Sequence, residues 1–258
     1  MLVRDQLYRT IDLQIPCKKI ISVVPSQTEL LHDLGLNSEV IGITKFCVHP
    51  DSWFQSKTRI GGTKKLNLNK IVELEPDLIL ANKEENTKED IDFLAERFPV
   101  WISAVYNLES AIQMIVQVGL ITGKESESIE ITKKIEAAKS LLKPYLPKQQ
   151  VKICYLIWKE PYMTVGSDTF IHSMLEEAGF LNVFEEMKRY PIVTITEILE
   201  RKPDFIFLSS EPYPFKESES VFFEPVKVIL VDGESFSWYG SHLIQSFHYL
   251  RTLISLKI

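Results

Sequence analysis

The chain has 258 residues, 45% of them hydrophobic and 25% charged, an ordinary composition for a globular protein with a sizeable core. It carries 29 basic and 35 acidic residues, a formal net charge of −6, so we expect no phosphate-tracking surface and no nucleic-acid partner. No apolar run is long enough to span a membrane. The three cysteines, Cys17, Cys47 and Cys154, are widely spaced and form neither a disulfide framework nor a Cys-x-x-Cys metal pattern.

The first 16 residues mix Arg4, Asp5, Arg9 and Asp12 with apolar residues. They therefore show neither the apolar region and cleavage site of a secretory signal nor a lipoprotein-type cysteine. From the chain as given we expect a cytoplasmic protein, and a periplasmic or surface protein if an export segment precedes it.

Short β-branched runs alternate with helical patterns over residues 1–121, which indicates parallel βαβ units. The first strand is predicted at 19–25. A helix follows that Ser26 would cap, with Glu29 three residues on, and that Gly35 would end. The remaining elements predicted in this part are strands at 40–44, 78–81 and 100–102 and helices at 68–74, 91–97 and 108–121.

Residues 124–143 predict one long helix. Ile131, Ile135, Ala138 and Leu142 recur at three and four residues, the spacing of a single helix face, and prolines follow the segment. Twenty helical residues span roughly 30 Å, about the width of a small domain. We interpret this helix as a connector between two lobes.

The strand and helix pattern then repeats, with strands predicted at 151–157, 205–209 and 228–231 and helices at 169–177, 196–200 and 241–256. Ile71–Leu80 aligns without gaps with Ile198–Phe207, and each segment places Pro-Asp before a strand. Extending this register sets Glu84 against Glu211. The repeat predicts duplicated lobes at 1–121 and 148–258, joined by a connecting helix at 122–147.

Three runs resemble the substrate-binding proteins of ABC importers for cobalamin, haem and ferric siderophores, with the cobalamin receptors nearest. The runs are Ile20-Ile-Ser-Val-Val-Pro-Ser-Gln-Thr-Glu-Leu-Leu31, then Gly62…Leu68…Pro76-Asp77-Leu-Ile79, and then Gly166…Gly179…Asn182. The resemblance implies an α/β fold of two Rossmann-like lobes with parallel sheets, joined by a single long backbone helix. It also implies a cleft between the lobes that binds one metal-organic ligand without chemistry.

The resemblance implies a monomer that is not an enzyme, has no prosthetic group and carries cobalamin, haem or a ferric siderophore as cargo. In agreement, the sequence lacks the dinucleotide, Walker, His-Glu-x-x-His and Gly-x-Ser-x-Gly motifs. An ABC permease is the implied partner. The glutamates with which the family docks onto its permease match Asn69 and Thr196 here, with Glu197 adjoining the second, and two family tryptophans match Thr63 and Asn82.

The candidate ligand-binding residues lie in loops at the carboxyl ends of the predicted parallel strands, where open α/β sheets bind their ligands. Flat aromatic faces there suit a corrin or porphyrin ring. By resemblance, Phe46, Trp158 and Tyr190 fall near positions where cobalamin receptors pack aromatic rings on the ligand. The candidates are Lys45, Phe46, Cys47, His49, Glu84 and Glu85 in the first lobe, and Trp158, Tyr162, Arg189, Tyr190, Glu211, Tyr213, Phe215, Ser237, Trp238 and Tyr239 in the second.

Cys47 and His49 could also bind a metal, because thiolate and imidazole suit iron, cobalt or zinc. Cys47 as a small buried hydrophobe is the simpler interpretation. A metal site would favour a second function, a cytosolic metal- or cofactor-handling protein or a metalloenzyme. A third interpretation is an interaction module that kept the fold and lost the ligand. Arg189 could clamp a carboxylate or phosphate, or form a salt bridge between lobes.

Overall fold

The computed structural model describes residues 1–258, with the side chain of Lys257 excepted. The chain divides into two compact units. No helix in the described part is both long enough and apolar enough to cross a membrane. Unit 1 comprises Met1–Val105, Glu109–Ile135 and Tyr239–His242, and unit 2 comprises Tyr106–Leu108, Glu136–Trp238 and Leu243–Ile258.

Unit 1 contains a five-stranded parallel sheet in the order β5-β4-β3-β8-β9, as the alternating pattern predicted. The central strand β3 and its neighbour β8 are completely buried, in keeping with their largely apolar sequences. The elements are β1 (Leu2–Arg4), β2 (Thr10–Asp12), β3 (Ile20–Ser22), α1 (Pro25–Asp33), β4 (Val40–Ile43), α2 (Asp51–Ser56), β5 (Thr58–Arg59), β6 (Gly61–Gly62), β7 (Lys65–Leu66), α3 (Leu68–Leu74), β8 (Leu78–Asn82), α4 (Lys88–Ala95), β9 (Val100–Ser103), α5 (Leu108–Thr122) and α6 (Glu125–Leu142).

The long helix predicted at 124–143 is confirmed as α6. Its four periodic apolar residues, Ile131, Ile135, Ala138 and Leu142, are all buried. Its 18 residues correspond to about 27 Å at 1.5 Å per residue. The division between the two units falls within this helix, after Ile135.

Unit 2 contains a four-stranded parallel sheet in the order β11-β10-β12-β13. Its core includes Phe184, Ile198, Phe215 and Phe223, packed around β10 and β12. The elements are β10 (Val151–Leu156), α7 (Phe170–Glu177), β11 (Phe180–Asn182), α8 (Ile195–Glu200), β12 (Phe205–Ser209), β13 (Lys227–Val231), α9 (Glu234–Ser237) and α10 (Leu243–Lys257).

The repeated Pro-Asp pair performs the same structural task in both units. In unit 1 the Asp77 carboxylate accepts hydrogen bonds from the backbone N–H groups of Lys18 and Lys19, at 2.7 and 2.9 Å, just before β3. In unit 2 the Asp204 carboxylate accepts one from the Lys152 N–H, at 2.7 Å, near the start of β10. In both aligned segments, the aspartate before one strand therefore bonds to the backbone at the start of the neighbouring strand, β3 in unit 1 and β10 in unit 2.

The sequence pattern did not predict the N-terminal hairpin of β1 and β2, which covers the outer strand β9. Asp5 is buried, and its carboxylate accepts hydrogen bonds from the Arg9 guanidinium at 2.8 Å and from the Ile102 N–H at 3.3 Å. Arg9 in turn donates to the Val100 carbonyl at 2.7 Å. The hairpin thereby occupies backbone groups at an edge that would otherwise be open to another strand.

The prediction that Ser26 caps α1 was wrong. The helix begins at Pro25, Val24 occupies the N-cap position, and no side chain caps the helix. Proline suits the first turn because its missing N–H would have no partner there. The other end agrees with the prediction, since the helix stops at Asp33 and Gly35 adopts φ +77°.

Candidate functional site

In unit 2, the loops after the neighbouring parallel strands β10 and β12 bring three predicted aromatic residues together. The rings of Trp158 and Tyr213 lie edge to face with centroids 5.8 Å apart, and those of Tyr213 and Phe215 are 4.7 Å apart. Phe215 is buried, whereas Trp158 is 40% exposed. We call Trp158, Tyr213 and Phe215 the strand-end aromatic cluster. Its most exposed member is the Trp158 indole, which packs on the ring of Tyr213.

Two residues that the sequence did not single out hold this cluster in place. Lys159 donates to Glu219 at 2.7 Å, and the Tyr213 hydroxyl donates to the same carboxylate oxygen at 3.4 Å. The Lys159 ammonium also lies 5.2 Å from the centre of the Phe222 ring. The only sequence signal was the charge of Lys159 directly after Trp158, which gives no partner by itself.

The other aromatic candidates of unit 2 have separate surroundings. Tyr162 is half-buried and packs on Phe223, with centroids 5.5 Å apart, so it supports the core beneath the loop. Arg189 is exposed and lies over the Tyr190 ring at 5.5 Å. This pair forms a cation–π contact of a kind worth about 0.5–1 kcal/mol at exposed sites.

Glu211 lies two residues beyond Ser209, the last residue of β12, and its carboxyl group is held by two hydrogen bonds. Its Oε1 accepts hydrogen bonds from Ser237 Oγ at 2.8 Å and from Trp238 Nε1 at 3.1 Å. Burial raises the pKa of the Glu211 carboxyl, a rise that nearby Glu234 and Asp232 reinforce and the two hydrogen bonds oppose. The segments that follow β12 and β13 are thus joined through one carboxyl group.

In unit 1, Lys45 and Phe46 follow β4 as predicted and lie on an open depression of about 710 Å³. Phe46 is 51% exposed, and the Lys45 ammonium lies 5.0 Å from the centre of its ring. The depression also presents two lysines that sequence reasoning missed, Lys64 and Lys65. The lining residues are Lys45, Phe46, Gly61, Gly62, Lys64, Lys65, Leu66, Asn67, Leu68 and Asn69.

The loop after β8 is organised by two buried asparagines. Asn82 accepts hydrogen bonds from the N–H groups of Glu84 and Glu85, at 2.7 and 3.1 Å, and donates to Ser103 Oγ at 2.9 Å. Asn86 donates to the carbonyls of Val23 and Thr63, at 3.1 Å each. The Asn82 side chain thus serves loop architecture, whereas Thr63 contributes only its backbone carbonyl. Glu84 and Glu85 are half-buried at this strand end.

Cys47 is fully buried, with its sulfur 3.0 Å from the Thr28 hydroxyl and 3.2 Å from that of Thr44. Burial raises the pKa of the Cys47 thiol, which disfavours the thiolate that a metal requires. His49 is exposed on the following loop. Among the described residues, no three or more histidine, cysteine, aspartate or glutamate side chains form a group that could hold a metal ion. The geometry gives the metal-binding prediction for Cys47 and His49 no support.

Tyr239 belongs to unit 1, although the sequence pattern placed it with Trp238 in the second lobe. It is 4% exposed, and burial, reinforced by the negative charge of Glu85, raises the pKa of its hydroxyl. Gly240 follows with φ +106°. His242 then places Nδ1 3.0 Å from Glu29 Oε2. Four residues near the end of the chain therefore complete unit 1.

Two α/β units with parallel sheets, each presenting ring and charged side chains at strand ends, define a ligand-binding protein. The family described as periplasmic binding protein matches residues 20–227, and the chain belongs to that family. Because these proteins bind their substrates without converting them, the family agrees with the prediction that the chain is not an enzyme and does not favour the metalloenzyme alternative.

A vitamin B12-binding protein of Vibrio campbellii is 25% identical over 201 residues, which cover 75% of this chain and 71% of the relative. Among solved structures, the periplasmic vitamin B12-binding protein of Vibrio cholerae has a TM-score of 0.78 at 18% identity, over 93% of this chain and 98% of the other. The periplasmic haem-binding protein of Roseiflexus sp. RS-1 has a TM-score of 0.79 at 18% identity, over 92% and 97%. At these identities the structural likeness shows the fold, and confirms the predicted two-lobed class.

Proposed function

We propose that this chain binds a metal chelate with a flat macrocyclic ring, a cobalamin-like corrinoid first, as cargo for an ABC-type importer. The observation that carries the proposal is the strand-end aromatic cluster, in which Trp158 remains 40% exposed on top of packed rings. A large indole left in water on a rigid support is suited to pack against a flat ligand. The vitamin B12-binding relatives support the corrinoid as the first choice.

The energetic requirement is modest. A Kd of 10 μM corresponds to roughly −7 kcal/mol. Ring stacking contributes about 0.5–1.5 kcal/mol per aromatic pair beyond the burial of its surface, and a macrocycle covering several rings also buries their apolar area. Because hydrogen bonds and core packing fix Tyr213 and Phe215 in advance, binding orders few side chains and loses little of this energy.

Haem or a ferric siderophore is the second candidate, and a separate observation favours it. Lys45, Lys64 and Lys65 all line the depression of unit 1, beside the exposed Phe46 ring. Three lysines lining one depression with an exposed ring suit a chelate with carboxylate or catecholate groups. The haem-binding structural neighbour is in keeping with this choice.

Titration of the purified protein with cyanocobalamin, aquocobalamin and haemin, followed by calorimetry and visible absorption, tests the proposal. We expect at least one of the three to bind with a Kd below about 10 μM. Trp158→Ala should bind the chelate more weakly. Phe54→Ala is the matched control for that variant, because Phe54 is a comparably exposed ring on α2, outside both described surfaces. The absence of binding by all three chelates would remove the proposal.

We also propose that an ABC permease receives the cargo from a monomer of this chain. Asn69 and Thr196, which match the family's docking glutamates, are both exposed, each at the second residue of a short helix, α3 or α8. The nearby Glu197 carboxylate accepts hydrogen bonds from the Thr194 N–H and hydroxyl, at 2.7 and 2.8 Å. At the proposed contacts with the permease, the amide of Asn69 and the hydroxyl of Thr196 would therefore replace glutamate carboxylates. Light scattering tests the monomer, and co-purification with a tagged permease from the same organism tests the partner.

A further inference from the structure

Unit 2 contains a carboxyl group whose position is fixed through both its side chain and its backbone. Ser237 and Trp238 donate to Glu211 Oε1, and Ser209 Oγ donates to the Glu211 carbonyl at 2.6 Å. Gly233 packs directly against it, since a Cβ added there would lie 2.5 Å from Glu211 Cγ and 2.6 Å from Ser209 Oγ. Real Cβ atoms do not approach that closely, so the glycine leaves the space that the carboxyl group occupies.

The two oxygens of this carboxyl group differ. Oε1 receives both donors, whereas no donor from any described residue contacts Oε2. Oε2 is also not among the buried polar atoms without a partner, so it is accessible to solvent. The group therefore keeps one fixed acceptor that no donor of the described residues occupies. Two residues further along the chain, Tyr213 joins the strand-end aromatic cluster.

The charge around this acceptor restricts what it can receive. Asp232 and Glu234 are near enough to act on the Glu211 carboxyl, and both act in the direction expected of negative charge. A ligand that brings further carboxylates to this position would be repelled. A ligand that brings N–H or O–H donors would be attracted and oriented, because hydrogen bonds to a charged acceptor are the stronger class.

We propose that Glu211 is the specificity-determining acceptor of the binding surface, and that the ligand presents primary amide N–H groups to its Oε2. This inference rests on the proposed function, because it assigns the polar contact of the same ligand. A corrin ring with amide side chains satisfies it, whereas a ring carrying esters or carboxylates at its periphery does not.

The test compares two corrinoids that differ in donor capacity. Dicyanocobinamide carries amide groups around its ring, and dicyanocobyrinic acid heptamethyl ester replaces them with esters that only accept hydrogen bonds. We expect the wild-type protein to bind the amide form at least about ten-fold more tightly, the range for one hydrogen bond to a charged group. Glu211→Ala should reduce the ratio to within about two-fold, with most of the change in the amide form.

Glu211→Gln gives a sharper outcome. The amide oxygen of glutamine can keep the bonds from Ser237 and Trp238, which places an NH₂ donor where Oε2 was. The amide corrinoid should then bind about ten-fold more weakly, and the ester form no more weakly than before. Glu234→Gln is the matched control, since it removes a neighbouring charge but not the acceptor, and should keep the wild-type preference. Circular dichroism melting checks that each variant is folded.

The outcomes separate the two proposals. A wild-type protein that binds both corrinoids equally, or a Glu211→Ala variant that keeps the full preference, would overturn the role of Glu211 and leave the proposed function standing. If Glu234→Gln loses the preference for the amide corrinoid, that preference depends on the negative charge of the region and not on the Glu211 acceptor, and the role of Glu211 is overturned. A wild-type protein that binds neither corrinoid, nor cyanocobalamin, would overturn the corrinoid function and this inference with it.

Discussion

The glycine beneath Glu211 offers a direct test of how this part of unit 2 is built. Gly233 has φ −66° and ψ −38°, a conformation that alanine adopts without strain. Gly233→Ala should therefore gain about 0.4–1 kcal/mol by restricting the unfolded chain. Against this, the new methyl group would lie 2.5 Å from Glu211 Cγ, 2.6 Å from Ser209 Oγ and 3.0 Å from the Glu211 backbone nitrogen.

One of these three atoms belongs to the backbone, so the crowding cannot be relieved by moving a flexible side-chain end. Overpacking of this kind costs about 1–3 kcal/mol. After the entropic gain is subtracted, we expect Gly233→Ala to lower the free energy of unfolding by about 1–2 kcal/mol. Urea unfolding followed by tryptophan fluorescence measures the loss, and the bond between Trp238 and Glu211 should make the emission of the folded variant differ from that of the wild type.

Gly62→Ala is the matched control. The atoms that its methyl group would meet, at 3.1 and 3.3 Å, belong to the exposed side chains of Phe46 and Lys45, which can move aside. We expect a change within about 0.5 kcal/mol there. A Gly233→Ala protein as stable as the wild type, with unchanged tryptophan emission, would refute the tight seating of Glu211.

Three further changes test other features. Burial raises the Glu211 pKa above its ordinary value of 4.5, so the wild-type protein loses stability as the pH rises above 4.5 and this carboxyl group ionises in the folded state. Glu211→Gln lacks the ionisable group and should become increasingly stable relative to the wild type over the same pH range. Unfolding of both proteins from pH 4.5 to 7 measures the difference in stability, and a difference that does not change with pH would contradict the prediction. Asp5→Ala should cost about 2–4 kcal/mol, because it leaves several N–H groups of the hairpin and of β9 unpaired, whereas Asp12→Ala, at an exposed ion pair, should cost under about 1 kcal/mol. The Cys47 thiol is fully buried and burial raises its pKa, so Cys47 should react slowly with thiol reagents in the native protein. For the same reason, Cys47→Ala should leave the metal content of the protein unchanged. Rapid labelling of Cys47 would contradict its buried position.

The helices and central strands of both units could be predicted from sequence because local patterns specify them. The helix predicted at 68–74 and the strand at 205–209 have those bounds in the structure. The Pro-Asp repeat also marked equivalent positions, since Asp77 and Asp204 make the same kind of hydrogen bond in the two units. The N-terminal hairpin was not predicted, because its strands are three residues long and depend on β9, which follows about ninety residues later.

The placement of the candidate residues at strand ends could be predicted, but their contacts could not. The rule that ligands bind at the carboxyl ends of parallel strands selected Trp158, Tyr213 and Glu211 as candidates, and the structure places them in the loops after β10 and β12. It could not find Glu219, which lies far along the chain from Lys159, or Asn82, whose role depends on backbone groups. Tyr239 followed Trp238 in sequence but lies in the other unit, because the chain divides between those two residues. Contacts distant in sequence leave no local pattern.

The central claim is that the strand-end aromatic cluster holds the ligand. The most direct measurement is a calorimetric titration of the wild-type protein and of Trp158→Ala with whichever of cyanocobalamin, aquocobalamin and haemin binds most tightly. We predict a wild-type Kd below about 10 μM, weakened at least ten-fold in the variant, since buried aromatic anchors commonly contribute 2 kcal/mol or more. Equal affinity of the two folded proteins would contradict the account.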